Sequence, residues 1–318
     1  MSIARWPQAA LAWLGRQGTT ALALSIILGI AVPQLAAYVK PYLGATVFVL
    51  LVFSYLRTDP EALRPVLRSP RIVVLAALWV MVAVPILLGS FYGLIGLGEI
   101  APDLFPIMIL QSAIAPITST VAFAALMGLD IGFSLVALIA CSILSPVTTV
   151  AFSYLFLGTS LFTPFDLGSK LFVFFFASGL IAFIIRRAVG QKRIEQKTEM
   201  IDGLNVITVF IFAIAAMEPV TRHVTADPLL ALKLLGVIVA IAASVIGLTA
   251  VLFMRAGLDR AMVVGFLAGF RNLGAVIGAL GSALPDLAWF YFALVQFPIY
   301  IFPVLLKPLA KRLPRRKT

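Results

Sequence analysis

The chain has 318 residues, 62% of them apolar and only 12% charged, with a mean hydropathy of +1.10. A soluble domain carries about twice that share of charge, so the polar surface is too small to face water, and lipid becomes the solvent for much of the molecule. The net charge of +11 does not mark a nucleic-acid binder, because Lys and Arg gather between apolar runs, and the single cysteine, Cys141, excludes an intrachain disulfide and reads as a small packing residue.

The first 18 residues place two Arg among Trp and Leu, without a long apolar stretch or a cleavage site. They read as a short interfacial helix rather than a signal peptide. A spanning helix needs about 20 mostly apolar residues. Ten such runs follow, at 19–39, 41–57, 71–95, 103–127, 131–158, 167–189, 201–220, 229–255, 260–283 and 286–308. The joins at Gly128 and Asp130, and at Leu258 and Asp259, have the form of a helix end followed by an N-cap.

Orientation follows from the basic residues. The segments before residue 19, at 57–71, 186–199 and 255–260, and after 306 hold nearly all the Lys and Arg. The opposite side holds only Lys40, Lys170, Arg222 and Lys233, and Arg271 lies inside a run. Both termini are therefore expected in the cytoplasm of a multi-pass protein of the cell (inner) membrane, which requires an even number of spans. Runs one to five (19–158) and six to ten (167–308) are each odd in number. Two such halves in series have opposite orientation, the topology of inverted repeats.

Two runs carry polar residues at mid-membrane depth, and they are the fourth of each half. Residues 110–128 read LQSAIAPITSTVAFAALMG. Pro116 has no N–H and clashes with the preceding turn, so the helix is expected to kink or unwind there, leaving Thr118, Ser119 and Thr120 beside freed backbone groups. Residues 265–281 read GFLAGFRNLGAVIGALG, with Arg271 and Asn272 between Gly269 and Gly274. Arg271 lies about 15 Å from either end of its run, too deep to snorkel to water. It must face protein or a wet cavity. Two readings stay open: a structural arginine satisfied by carbonyls at a helix break, or a guanidinium that binds an anionic substrate.

Gln111, Ser134, Ser145, Asn205 and Gln296 read as helix-packing hydrogen bonders, and Pro298 and Pro303 suggest a kinked last helix. No HExxH, GxSxG or P-loop is present, and the one histidine, His223, is expected in an external loop. The chain is not expected to be an enzyme.

The segment APITSTVAFAALMGLDIGFSLVALIACSILSPVTT (115–149) resembles spans four and five of the bile acid:sodium symporter family. GFRNLGAVIGAL (269–280) resembles that family's broken ninth span, where a Gly-x-Gln-Asn-x-Gly pattern is common. FSYLRTDPEALRPVLRSPRIV also fits its second-to-third span loop. The resemblance implies an all-α polytopic membrane protein, one transporter unit over 1–318, of ten helices in two inverted five-helix repeats. A panel domain would hold spans one, two, six and seven. A core domain would hold three to five and eight to ten, with spans four and nine crossing at their broken centres. It implies alternating-access transport of organic anions, usually coupled to sodium.

The departures shape the expectation. The family's sodium-site Glu falls on Leu267 and its Gln on Arg271, while further sodium-site or crossover positions fall on Val121, Leu138 and Val80. Thr120 and Ser134 match as vestigial sodium ligands, but two hydroxyls do not hold a hard cation. The expected protein is thus a secondary transporter of a small organic anion that does not depend on sodium, with no cofactor, metal or nucleic-acid partner, working in the lipid bilayer as a monomer or homodimer. Thr118, Ser119, Arg271 and Asn272 are its expected substrate-binding residues, and Pro116, Gly269 and Gly274 its helix breaks. The rivals are a sodium-coupled symporter of the family type and a membrane anion receptor or sensor that moves nothing.

Overall fold

A computed structural model describes residues 10, 11, 13, 18–56, 70–158 and 163–311. The expected N-terminal interfacial helix, most of the 57–71 loop and the basic tail after Lys311 lie outside the described residues.

The architecture is all-helical. Its elements are α1 (Gly18–Ala31), α2 (Pro33–Val39), α3 (Leu43–Leu56), α4 (Pro70–Leu94), α5 (Phe105–Ala113), α6 (Thr120–Met127) and α7 (Ile131–Leu157). After these come α8 (Pro164–Val189), α9 (Thr198–Ala216), α10 (Glu218–Ala226), α11 (Pro228–Phe253), α12 (Leu258–Gly269), α13 (Leu273–Leu280) and α14 (Asp286–Lys311). Among the described residues, seven helical stretches are long and apolar enough to cross a membrane: 33–56, 70–94, 131–157, 164–189, 198–226, 228–256 and 286–308. The chain is a multi-pass membrane protein. Three of the ten apolar runs fall outside this set, for a local reason in each. The run 103–127 stops at Ala113 and resumes at Thr120, the run 260–283 stops at Gly269 and resumes at Leu273, and α1 is only 14 residues long.

The stretch 33–56 contains a turn. Gly29 sits against Ile214 and Met217, and Leu11 against Gly203, so α1 runs beside α9 towards residue 217. Val52 and Leu56 then share a cluster with Ile201, so α3 returns along the same helix in the opposite sense. The reversal lies at α2 and a 3₁₀ turn at Lys40–Tyr42, where Pro33 and Pro41 each remove an amide from the ladder.

Local chemistry sets several ends. Asp130 accepts from Phe133 N (2.9 Å) and caps α7, while its other oxygen takes the Arg260 Nε–H at 3.2 Å. Asp227 caps α11 through Leu230 N (2.9 Å) with Pro228 at the first helical position. Gly128, at φ +70°, supplies the left-handed residue that ends α6. Arg186 donates to the carbonyls of Tyr55 (2.8 Å) and Leu56 (3.0 Å), placing a cation on the negative end of α3. One expectation changes: His223 lies on helix α10 rather than in a loop, because Pro219 starts a new helix after Met217. The last helix carries Pro298, Pro303 and Pro308 within one helical stretch.

Packing divides the helices unevenly. α1 and α3 lie on α9, and α8 lies on α3. α4, α5 and α7 pack together, as do α11, α12 and α14. The two assemblies meet where α3 reaches α13 and α7 reaches α8. At the first contact Gly44 faces Gly278, and a Cβ on Gly44 would stand 3.2 Å from the Gly278 Cα. Small residues let helix backbones approach this closely in lipid.

Candidate functional site

The gaps in the two broken runs meet at the centre. Pro116 and Arg271 form an isolated antiparallel bridge. Ile117 N donates to Phe270 O (2.9 Å) and Asn272 N to Ala115 O (2.8 Å). Each unwound segment thus satisfies the other's backbone, which makes non-helical chain tolerable at membrane depth. The remaining freed groups are served by α7: Ser145 Oγ accepts from Ala115 N (2.9 Å), and Thr148 and Thr149 reach Ala113 O at 3.3 Å. Thr120 also turns back on the backbone, donating to Ile117 O at 2.7 Å.

Arg271 is 2% exposed and its guanidinium is held by protein. Nε donates to Ala268 O (2.8 Å), Nη1 to Ile114 O (3.1 Å) and Nη2 to Val80 O (2.7 Å), with Met81 Sδ 3.7 Å from Nη1. Ile114 follows the end of α5 and Ala268 lies in the last turn of α12, where carbonyls lack intrahelical donors and the helix dipole is negative. Val80 lies in a π-turn at Trp79–Ala83 inside α4, which shifts the hydrogen-bond register and aims a carbonyl sideways. Three carbonyls and two helix C-termini therefore surround one fixed cation. The guanidinium is thus engaged with the backbone on three sides.

A cavity of about 380 Å³ lies beside the crossover, between α3, α6, α7, α9, α13 and α14. It is large enough for a small organic molecule. Thr118, Ser119, Asn272 and Gln296 line one side, and Asn205 and Ser54 the opposite wall among Val47, Leu50, Leu51 and Phe212. Asn272 is 6% exposed, yet its carboxamide makes no hydrogen bond with the described protein, and neither does the Thr118 hydroxyl. Ser119 Oγ is buried without a partner and does not cap α6. Asn272 and Thr118 thus bring uncommitted polar groups to the cavity wall. The N-terminal ends of α6 and α13 start at the same place, so their first-turn amides add positive potential. Among the described residues, no carboxylate lines the cavity.

A second cavity, of about 30 Å³, lies between α4, α5, α11, α12 and α14, touching Arg271, Gln111, Ser112 and Tyr291. It has room for one or two waters rather than a ligand. There Tyr291 donates to Gln111.

All four expected substrate positions, Thr118, Ser119, Arg271 and Asn272, line the large cavity. Thr118 and Asn272 bring polar groups without a partner among the described residues, whereas the Arg271 guanidinium is bound to backbone carbonyls. Thr120 is tied to Ile117, and Ser134 Oγ is wholly buried without a partner. Leu267, Leu138 and Val80 are fully packed apolar residues. Among the residues read as packing hydrogen bonders, Gln111 and Ser145 pair within the protein, Gln296 donates to Phe292 O (3.2 Å) and also lines the cavity, and Asn205 lines the cavity. Val80, Ile114 and Ala268 act through carbonyls, which no side-chain reading can reveal. No known family model and no curated protein matches this chain.

Proposed function

We propose that this protein is a secondary transporter of a small organic anion, of carboxylate or sulfate type, that works by alternating access without sodium. The observation that carries this reading is the Arg271 guanidinium among the carbonyls of Val80, Ile114 and Ala268. Clustered carbonyls at two helix C-termini are what a bound cation stabilises. Here a covalently attached cation occupies that place. It holds the two broken helices together and leaves net positive charge behind Asn272, where an anion enters.

The resemblance to the bile acid:sodium symporter family belongs to the same reading. So do ten spans in two inverted repeats, with α1, α3, α8 and α9 as a panel and the remaining long helices as a core. The reversal between α1 and α3, the paired breaks and the glycine contact between α3 and α13 support it. In this reading Thr118, Ser119 and Asn272 bind the anionic group, and the apolar wall of Leu50, Leu51 and Phe212 takes the body. Because Asn272, Thr118 and Ser119 donate and no carboxylate opposes them, anions are preferred over cations of equal size.

A thermal-shift screen of purified protein tests the preference. Small carboxylates or sulfates raise the melting temperature by mass action, and their amide or amine analogues do not. Equal stabilisation by amines would remove the anion assignment.

A further inference from the structure

The two helices that flank the large cavity separate at one end and are fastened at the other. α14 carries, in order, Asp286, Trp289, Phe290, Phe292, Gln296 and Tyr300. Gln296 and Tyr300 line the cavity, while Asp286 lies about 15 Å further along the axis at 1.5 Å per residue. α9 and α10 run alongside. Asn205 and Val209 line the same cavity, Phe212 meets Phe292 edge-to-face at 5.9 Å, and α10 then reaches the start of α14.

There the charges converge. Arg222 pairs with one oxygen of Asp286, and His223 Nε2 lies 2.8 Å from the other. The His223 ring stacks on Phe290 at 4.6 Å. Beside them Lys40 Nζ pairs with Glu218 at 2.7 Å and stands 4.7 Å over the Trp289 ring. Thr221 ties α10 to α1 through Ile30 O (2.9 Å). Every one of these contacts joins α1, the 40–42 turn or α10 to its neighbour at the end opposite the cavity, and two of the elements crossed are α10 and α14.

We infer that this cluster is an ion-pair latch that holds one face of the transporter shut. The inference rests on the alternating-access reading above, since the same face must open for a substrate to cross. Partly exposed pairs of this kind are weak singly, which suits a contact that breaks in each cycle. The charged groups around His223 are Glu218 and Arg222 on its own helix, Lys40 from the 3₁₀ turn, Asp286 from α14, and Asp227 and Lys233 at the start of α11. α1, α2 and the C-terminal half of α9 bring none.

Ala216 reports the state of that face. It is 1% exposed and one turn beyond Phe212 on α9. Cys141 is fully buried, so a protein without the added thiol gives the background. The experiment measures maleimide labelling of Ala216→Cys in nanodiscs. An exposed Lys170→Cys protein corrects for intrinsic thiol reactivity. Asp286→Asn is expected to label about five- to tenfold faster. Lys40→Gln serves if Asp286→Asn does not fold, and the Lys40→Glu, Glu218→Lys exchange restores slow labelling. Equal rates in folded Asp286→Asn and parent overturn the latch. Uptake is measured in parallel. Altered labelling without any solute flux leaves the latch and removes the transporter reading, and flux with unaltered labelling does the reverse.

Discussion

Replacing Arg271 by Met keeps an unbranched side chain of similar reach and removes the charge and every donor. The carbonyls of Val80, Ile114 and Ala268 are then buried without partners. An abandoned buried acceptor costs about 1–2 kcal/mol, which gives about 3–6 kcal/mol for three. Interhelical hydrogen bonds in membranes average nearer 0.6 kcal/mol, which sets a floor of about 2 kcal/mol. At about 2 °C per kcal/mol for a chain of this size, the melting temperature falls by about 4–12 °C. The assay is thermal unfolding in detergent, read by retention of the monodisperse peak on gel filtration. Arg271→Lys recovers only part of the loss, because one ammonium cannot match three divergent carbonyls as the planar guanidinium does. A fall of less than 2 °C in Arg271→Met refutes the claim that the cation holds the crossover. The double substitution Arg271→Gln, Leu267→Glu sharpens the test, since it rebuilds a carboxylate site at the same place. Sodium should then raise its melting temperature where it leaves the parent unchanged.

Two other substitutions separate binding from folding. Asn272→Leu removes a carboxamide that has no partner among the described residues, so stability changes little, while the dissociation constant of a stabilising anion, read by calorimetry, rises at least tenfold. Ser145→Ala leaves the Ala115 amide buried without an acceptor, which costs about 1–3 kcal/mol and lowers the melting temperature without altering sodium dependence.

Much of the frame was legible in the residues. Long apolar runs give the helices, and the concentration of basic residues in certain inter-run segments gives an expected orientation. Pro116 and the Gly269–Gly274 stretch mark the places where two helices stop, because proline breaks the ladder and glycine tolerates the turn. Asp130 announces its cap by type and position. What stayed hidden depends on backbone direction. Nothing in Trp79–Ala83 signals a π-turn, so the Val80 carbonyl could not be paired with Arg271 from sequence. Arg271 itself admitted two readings, and only the position of its head group separates a fixed cation from a ligand hand. The reversal within 33–56 was obscured for a related reason: α2, the 3₁₀ turn and α3 follow without a loop, and only contacts with α9 show the change of direction. His223 read as a loop residue because its surroundings are polar. The α10 helix that carries it packs on α14 through Phe290 and Asp286, more than 60 residues away in sequence.

Solute flux into proteoliposomes, compared in sodium and in choline buffers, tests the sodium-independent carrier most directly. The anion chosen is the one that stabilises the purified protein best. Equal initial rates in the two buffers, falling together in Asn272→Leu, are the expected result. Uptake that vanishes in choline would contradict the proposal that Arg271 stands in the place of the coupling ion.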